Sequence, residues 1–77
     1  MTYLFQLSTR YRDTQVVYNI SQVQFDEYYA ESTHSEIASF SLRRKSGVWI
    51  CEGGLEDLQA AKVGRLIDEL YMSIMRN

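Results

Sequence analysis

Cys51 is the only thiol and His34 the only imidazole among the 77 residues. Nucleophilic catalysis would need a nucleophile and a base within reach of each other and of an orienting group. Alternating polarity places Cys51 in a strand and His34 in a turn, and nothing in their spacing joins them. Cys51 therefore reads as a small hydrophobe in a sheet. Glu31-x-x-His34, with Glu36 close behind, is half of the pattern that holds a di-metal centre. The second half and a second histidine are missing, so the stretch reads as a solvated acidic turn. Gly53-Gly54 between a strand and a helix has the form of an anion site at a helix N-terminus. Glu52, Glu56 and Asp57 already occupy that positive end and would repel phosphate. Glu27 and Glu31 stand four apart, as for a carboxylate pair on one helix face, but so small a chain leaves little room for the cleft that would shift a pKa. No catalytic, cofactor-binding or metal-ligating residue is assigned, no small-molecule substrate is evident, and the chain is not expected to be an enzyme.

Two other groups of residues carry binding chemistry. Tyr3, Tyr11, Tyr18, Tyr28, Tyr29 and Trp49 could stack bases on an open sheet, while Arg10, Arg12, Arg43, Arg44 and Lys45 could hold phosphates. Arg10, Tyr11, Arg12, Arg43, Arg44 and Lys45 are thus the candidate nucleic-acid residues. A four-strands-then-helix order resembles that of the PUR and Whirly single-strand binders, without their sequence motifs. Ten acids against eight bases, net charge −2, count against a nucleic-acid partner. The second group is Tyr71-Met72-Ser73-Ile74-Met75, an apolar run at the C-terminal end. Methionine and tyrosine suit an adaptable protein contact.

The elements that position these residues follow from periodicity. Residues 3–8 and 15–21 alternate as strands, with Tyr3, Phe5 and Leu7, then Val16, Tyr18 and Ile20, on the inner face. Residues 9–14 between them read as a polar hairpin loop. Residues 22–35 admit two readings. Ser21 and Gln24 make a capping box and Phe25/Tyr29 a helical pair, yet Val23, Phe25, Glu27 and Tyr29 also alternate, and a strand over part of 23–30 is preferred. Residues 36–44 form the next strand, with Ala38, Phe40 and Leu42 inward. Arg44-Lys45-Ser46-Gly47 is a tight turn with Gly47 available for positive φ, and Val48 to Glu52 returns beside it. Which sheet face carries Trp49 is left open by the turn register. From Leu55 to Met75, Val63, Leu66, Ile67, Leu70 and Ile74 fall on one face of an amphipathic helix. Gly64 in its middle costs about 1 kcal/mol against alanine, which points to close approach of the sheet. The hairpin–Trp–Gly-Gly–helix ending is similar to that of small bacterial sheet-plus-helix domains, a likeness that implies no activity.

The expected fold is α+β over residues 1–77: an antiparallel β-meander of four or five strands, then one long C-terminal helix on one face. Strand count bears on partners. With four strands, the two basic turns meet at one end; with five, they lie at opposite ends. Apolar residues at 45% and charged residues at 23% mark a globular chain, but one of a size at which burial only roughly offsets ordering entropy. A second copy would help it. The helix should outrun the sheet, so Tyr71, Met72, Ile74 and Met75 are the candidate interface residues of a non-enzymatic interaction module, expected to be a homodimer. No apolar run is long enough to span a membrane, Met1 to Ser8 does not read as a signal peptide, and a lone cysteine suits the cytoplasm.

Overall fold

β-branched and aromatic residues in alternation suit a pleated surface, and they build five strands: β1 (Thr2–Tyr11), β2 (Thr14–Gln24), β3 (Glu27–Ser32), β4 (Phe40–Lys45) and β5 (Val48–Glu52). All pair antiparallel in the order β1-β2-β3-β4-β5. A C-terminal helix, α1 (Asp57–Met75), packs on one face of this meander. The computed structural model describes residues 1–52 and the backbone of 57–75, with side chains described through Cys51, at Gln59 and over 61–71.

The core lies between sheet and helix. A cross-strand row runs Phe5, Ile20, Ala30, Phe40, and a second joins Tyr28, Leu42 and Cys51. Ile20, Ala30, Phe40 and Leu42 are fully buried, as are Val16, Tyr18, Val63 and Ile67. Tyr18 and Phe40 meet edge to face at 5.3 Å and 81°, a favoured aromatic arrangement. The helix touches β5 and β1, the two outer strands. The twisted sheet therefore curls around it, with the bulkiest side chains filling the space above the central strands. On β1, Lys62 Nζ donates to the Arg10 carbonyl at 3.1 Å. On β5, Gly64 sits directly over the Trp49 ring.

Three turns take positive φ. Ser46 (54°) and Gly47 (77°) form the two-residue connection between β4 and β5, the twist that matches a hairpin. Arg12 (57°) and Asp26 (59°) serve the β1–β2 and β2–β3 turns. The β3–β4 connection is held by hydrogen bonds: Ser32 N–H donates to Ser39 Oγ at 2.9 Å, and Thr33 N–H and Oγ1 both donate to the Val17 carbonyl, at 3.0 and 2.9 Å.

Several expectations are corrected. Residues 9–14 are not a loop: β1 runs to Tyr11 and β2 begins at Thr14. Tyr3 is 58% exposed and not in the core, because the register shifts between Tyr3 and Phe5, and one extra residue reverses the faces before it. Ala38 is exposed, since β4 begins at Phe40 and not at 36. Leu70, expected on the inner stripe, is 37% exposed. Trp49 lies on the helix side, opposite Arg44 in register. Gly53 and Gly54, with the phosphate site considered for them, fall outside the described residues, as do the side chains of Met72, Ile74 and Met75.

Candidate functional site

Five strands separate the two basic groups. In an antiparallel meander, alternate turns lie at opposite ends, so Arg10, Tyr11 and Arg12 flank the β1–β2 turn at one end. Arg43, Arg44 and Lys45 lead into the β4–β5 turn at the other. The single five-base patch that a four-stranded sheet would give is not formed. The aromatic residues divide as well. Tyr18, Tyr28 and Trp49 face the helix, Tyr11 packs against the core, and only Tyr3 and Tyr29 belong to the open face. The Arg12 guanidinium lies 5.4 Å from the Tyr11 ring centre.

Arg44 is the hub of a charged and aromatic cluster at the seam between sheet and helix. Its Nη1 donates to Asp68 Oδ1 at 2.8 Å, and its Nε lies 3.4 Å from Asp26 Oδ1, an ion-pair contact without hydrogen-bond alignment. The guanidinium carbon sits 4.7 Å from the Trp49 ring centre. Trp49 Nε1 donates to the other carboxylate oxygen of Asp68 at 3.3 Å, and the Tyr28 ring lies 5.7 Å from that of Trp49. The Arg44 N–H also donates to the Asp26 carbonyl at 2.8 Å. One side chain thus ties the β2–β3 turn, β4, β5 and α1 together. An arginine so held spends much of its charge within the fold.

Two tyrosines carry shifted pKa values. Burial pushes Tyr18 up, partly countered by nearby Gln59 and reinforced by Tyr11 and Cys51. Neither Tyr18 Oη nor Gln59 Nε2 reaches a hydrogen-bond partner among the described residues. Burial also pushes Tyr28 up; the Arg44 guanidinium opposes this, while Tyr71 and Asp26 add to it. A phenol whose pKa is raised on folding binds its proton more tightly in the native state. Its contribution is complete below the unfolded value of 10.0 and is lost as pH rises from there through the folded value. Stability measured by urea unfolding should therefore be flat approaching pH 10 and fall above it. The fall should be shallower in Tyr18→Phe. An equal slope in that variant would refute the assignment.

Part of the open sheet face is polar and hydrogen-bonded within itself. Gln6 Nε2 donates to Asn19 Oδ1 at 2.8 Å, Asn19 Nδ2 to Glu31 Oε1 at 3.4 Å, and Gln15 Nε2 to Ser8 Oγ at 2.5 Å. Glu31 is thereby turned toward Asn19. His34 Nδ1 accepts the Glu36 N–H at 3.1 Å, so that nitrogen's lone pair is engaged. Cys51 packs against the core opposite Leu42.

The feature that sequence reasoning missed lies at the end of the sheet carrying the β2–β3 and β4–β5 turns. Phe25 stands on the β2–β3 turn and is 87% exposed. Val23 precedes it. Tyr3 lies at the start of β1, and Val48 and Ile50 at the start of β5. All are exposed; Tyr3, Val48 and Ile50 lie on the open face, with Tyr3 in the row of Ser21, Tyr29, Ser41 and Glu52, while Leu70 lies on the helix. With Met1, these are all the large exposed hydrophobic residues among those described. The turn itself needs positive φ at Asp26, which aspartate tolerates; nothing in its geometry needs phenylalanine beside it. Among the described residues, no helix is long and apolar enough to cross a membrane. No protein-family model, curated protein or solved structure matches the chain.

Proposed function

We propose that the chain is a non-enzymatic protein-interaction module that acts as a homodimer, with the C-terminal end of α1 as its contact. The observation that carries this reading is Leu70. It continues the stripe of Val63, Leu66 and Ile67, yet it is 37% exposed where Val63 and Ile67 are fully buried. An apolar stripe that is exposed at Leu70 is what an overhanging helix end would give, and Tyr71, Met72, Ile74 and Met75 follow it in the sequence. A helix long enough to overhang presents an apolar surface of the kind that marks an interface. Burying it in a second copy would add stability to a small core. A reducing compartment, the cytoplasm, suits the lone Cys51.

The test is solution mass by light scattering over a range of concentration. Wild-type protein should approach twice 9.0 kDa, and the double variant Met72→Glu/Met75→Glu should be a folded monomer. A wild-type monomer at every concentration would overturn the reading.

A further inference from the structure

From the register of the open sheet face we propose a binding site for a neutral sugar ring, built on Tyr3, Ser21 and Tyr29 with Gln6, Asn19 and Glu31 beside them. It goes beyond the homodimer reading and does not depend on it. Tyr3, Ser21 and Tyr29 are cross-strand partners on β1, β2 and β3, and Gln6, Asn19 and Glu31 are partners in the next row. Both rows lie on the open face, because Ile20, Tyr28 and Ala30 alternate with them and are buried under the helix. With strands about 4.8 Å apart and about 6.7 Å between every second residue, the two rows make one patch of about 10 × 7 Å, roughly the footprint of one sugar residue. Strand side chains stand roughly perpendicular to the sheet, so the two tyrosines wall a slot whose floor is the small Ser21. A bulge places Tyr3 here. The register shift between Tyr3 and Phe5 takes it out of the core row and leaves it 58% exposed. Re-aiming a side chain at a site is a recurrent use of a bulge.

The polar row supplies the other half of the site. Its bonds run in one direction, from Gln6 Nε2 to Asn19 Oδ1 and from Asn19 Nδ2 to Glu31 Oε1. They hold the three side chains abreast and do not use Gln6 Oε1 or Glu31 Oε2, both of which are acceptors. A pyranose ring matches the two rows together. Its C–H face packs on a tyrosine ring, and the hydroxyls at its rim donate to the amide and carboxylate oxygens. Charge selects a neutral ligand. Neither row contains a lysine or an arginine, and Glu31 sets a carboxylate beside the slot. A nucleobase could enter the same slot, but its phosphates would meet that carboxylate and no cation within the patch.

The experiment is an amide NMR titration of the full chain with cellopentaose, maltopentaose and the pentamer of N-acetylglucosamine, and separately with oligothymidylate at low salt. At least one pentasaccharide should shift the amides of Tyr3, Gln6, Asn19, Ser21, Tyr29 and Glu31 and saturate in the millimolar range. Tyr3→Ala and Tyr29→Ala should each weaken that binding about tenfold or more, while Tyr3→Phe, which keeps the ring, and Phe25→Ala, outside the patch, should change it less than about twofold. Circular dichroism reports the folding of each variant. The proposal is overturned if no pentasaccharide shifts these amides at about 10 mM, if the shifts lie elsewhere, or if Tyr3→Ala binds like wild type. Oligothymidylate shifting the same amides in place of the sugars would overturn it in favour of single-stranded nucleic acid. Solution mass decides the homodimer separately, so either reading can fail without the other.

Discussion

Phe40→Ala should cost about 3–5 kcal/mol of folding stability, the range for emptying a buried phenylalanine site. Phe40 is 1% exposed and meets Tyr18 edge to face. Its neighbour in register on β3 is Ala30, which has no side-chain bulk to move into the space. Neither can the backbone collapse, since β4 is held between β3 and β5. A chain of this size has a total stability of about 4–12 kcal/mol, so the urea midpoint should fall by about a quarter or more. Phe25→Ala is the internal comparison. It removes the same atoms from an exposed tip and should change the free energy by no more than about 0.5 kcal/mol. Urea unfolding followed by far-UV circular dichroism measures both. A loss under about 1.5 kcal/mol for Phe40→Ala would mean that the core is not organised around the Tyr18–Phe40 contact.

These two phenylalanines also show what the amino-acid sequence reveals and where it stops. Phe40 and Leu42 alternate with serine and arginine, and that period of two identifies their face without any knowledge of partners. The same holds for Val16, Tyr18 and Ile20, all buried as expected. Phe25 stands where the two periods overlap. It pairs with Tyr29 at helical spacing and with Val23 and Glu27 at strand spacing, and it belongs to neither element. The chain turns at Phe25–Asp26, and the local signal is a single aspartate able to take positive φ. Tyr3 fails for a related reason. Its alternation with Phe5 and Leu7 is genuine, but a bulge at Leu4 reverses its face, and a bulge leaves no mark on a pattern of types.

The seam cluster was harder to read for a different reason. Arg44 and Trp49 become neighbours through the Ser46-Gly47 turn, a contact within reach of local reasoning once the register is set. Asp68 lies 19 residues beyond Trp49 and joins them only because the helix crosses β5. On a charge count it was one acid among ten. In the fold it receives both Arg44 and the indole N–H, and so diverts the residue that had been the centre of the basic turn. Sequence-level patches of charge assume that each side chain faces solvent; here tertiary packing decides which do.

Gly64→Ala should destabilise the protein by about 1–3 kcal/mol, although alanine is the better helix former by about 1 kcal/mol. A methyl group at Gly64 would fall on the Cγ, Cδ1 and Cδ2 atoms of Trp49, well inside van der Waals contact. Trp49 has little freedom to yield. Its indole nitrogen is bonded to Asp68 at 3.3 Å, Arg44 lies on its ring at 4.7 Å, and Tyr28 is alongside at 5.7 Å. Relief must come from the helix lifting off β5, which would also loosen Val63 and Ile67, both fully buried on the same face. The double-variant comparison isolates this contact. In a Trp49→Ala background the Cγ and the ring are both gone, and Gly64→Ala should become neutral or stabilising as the helix preference reasserts itself. That reversal of sign distinguishes a steric role for Gly64 from a general intolerance of the helix to change. If Gly64→Ala raises stability with Trp49 intact, then α1 does not approach β5 as closely as the fold requires, and the Asp68–Arg44–Trp49 seam would have to be drawn differently.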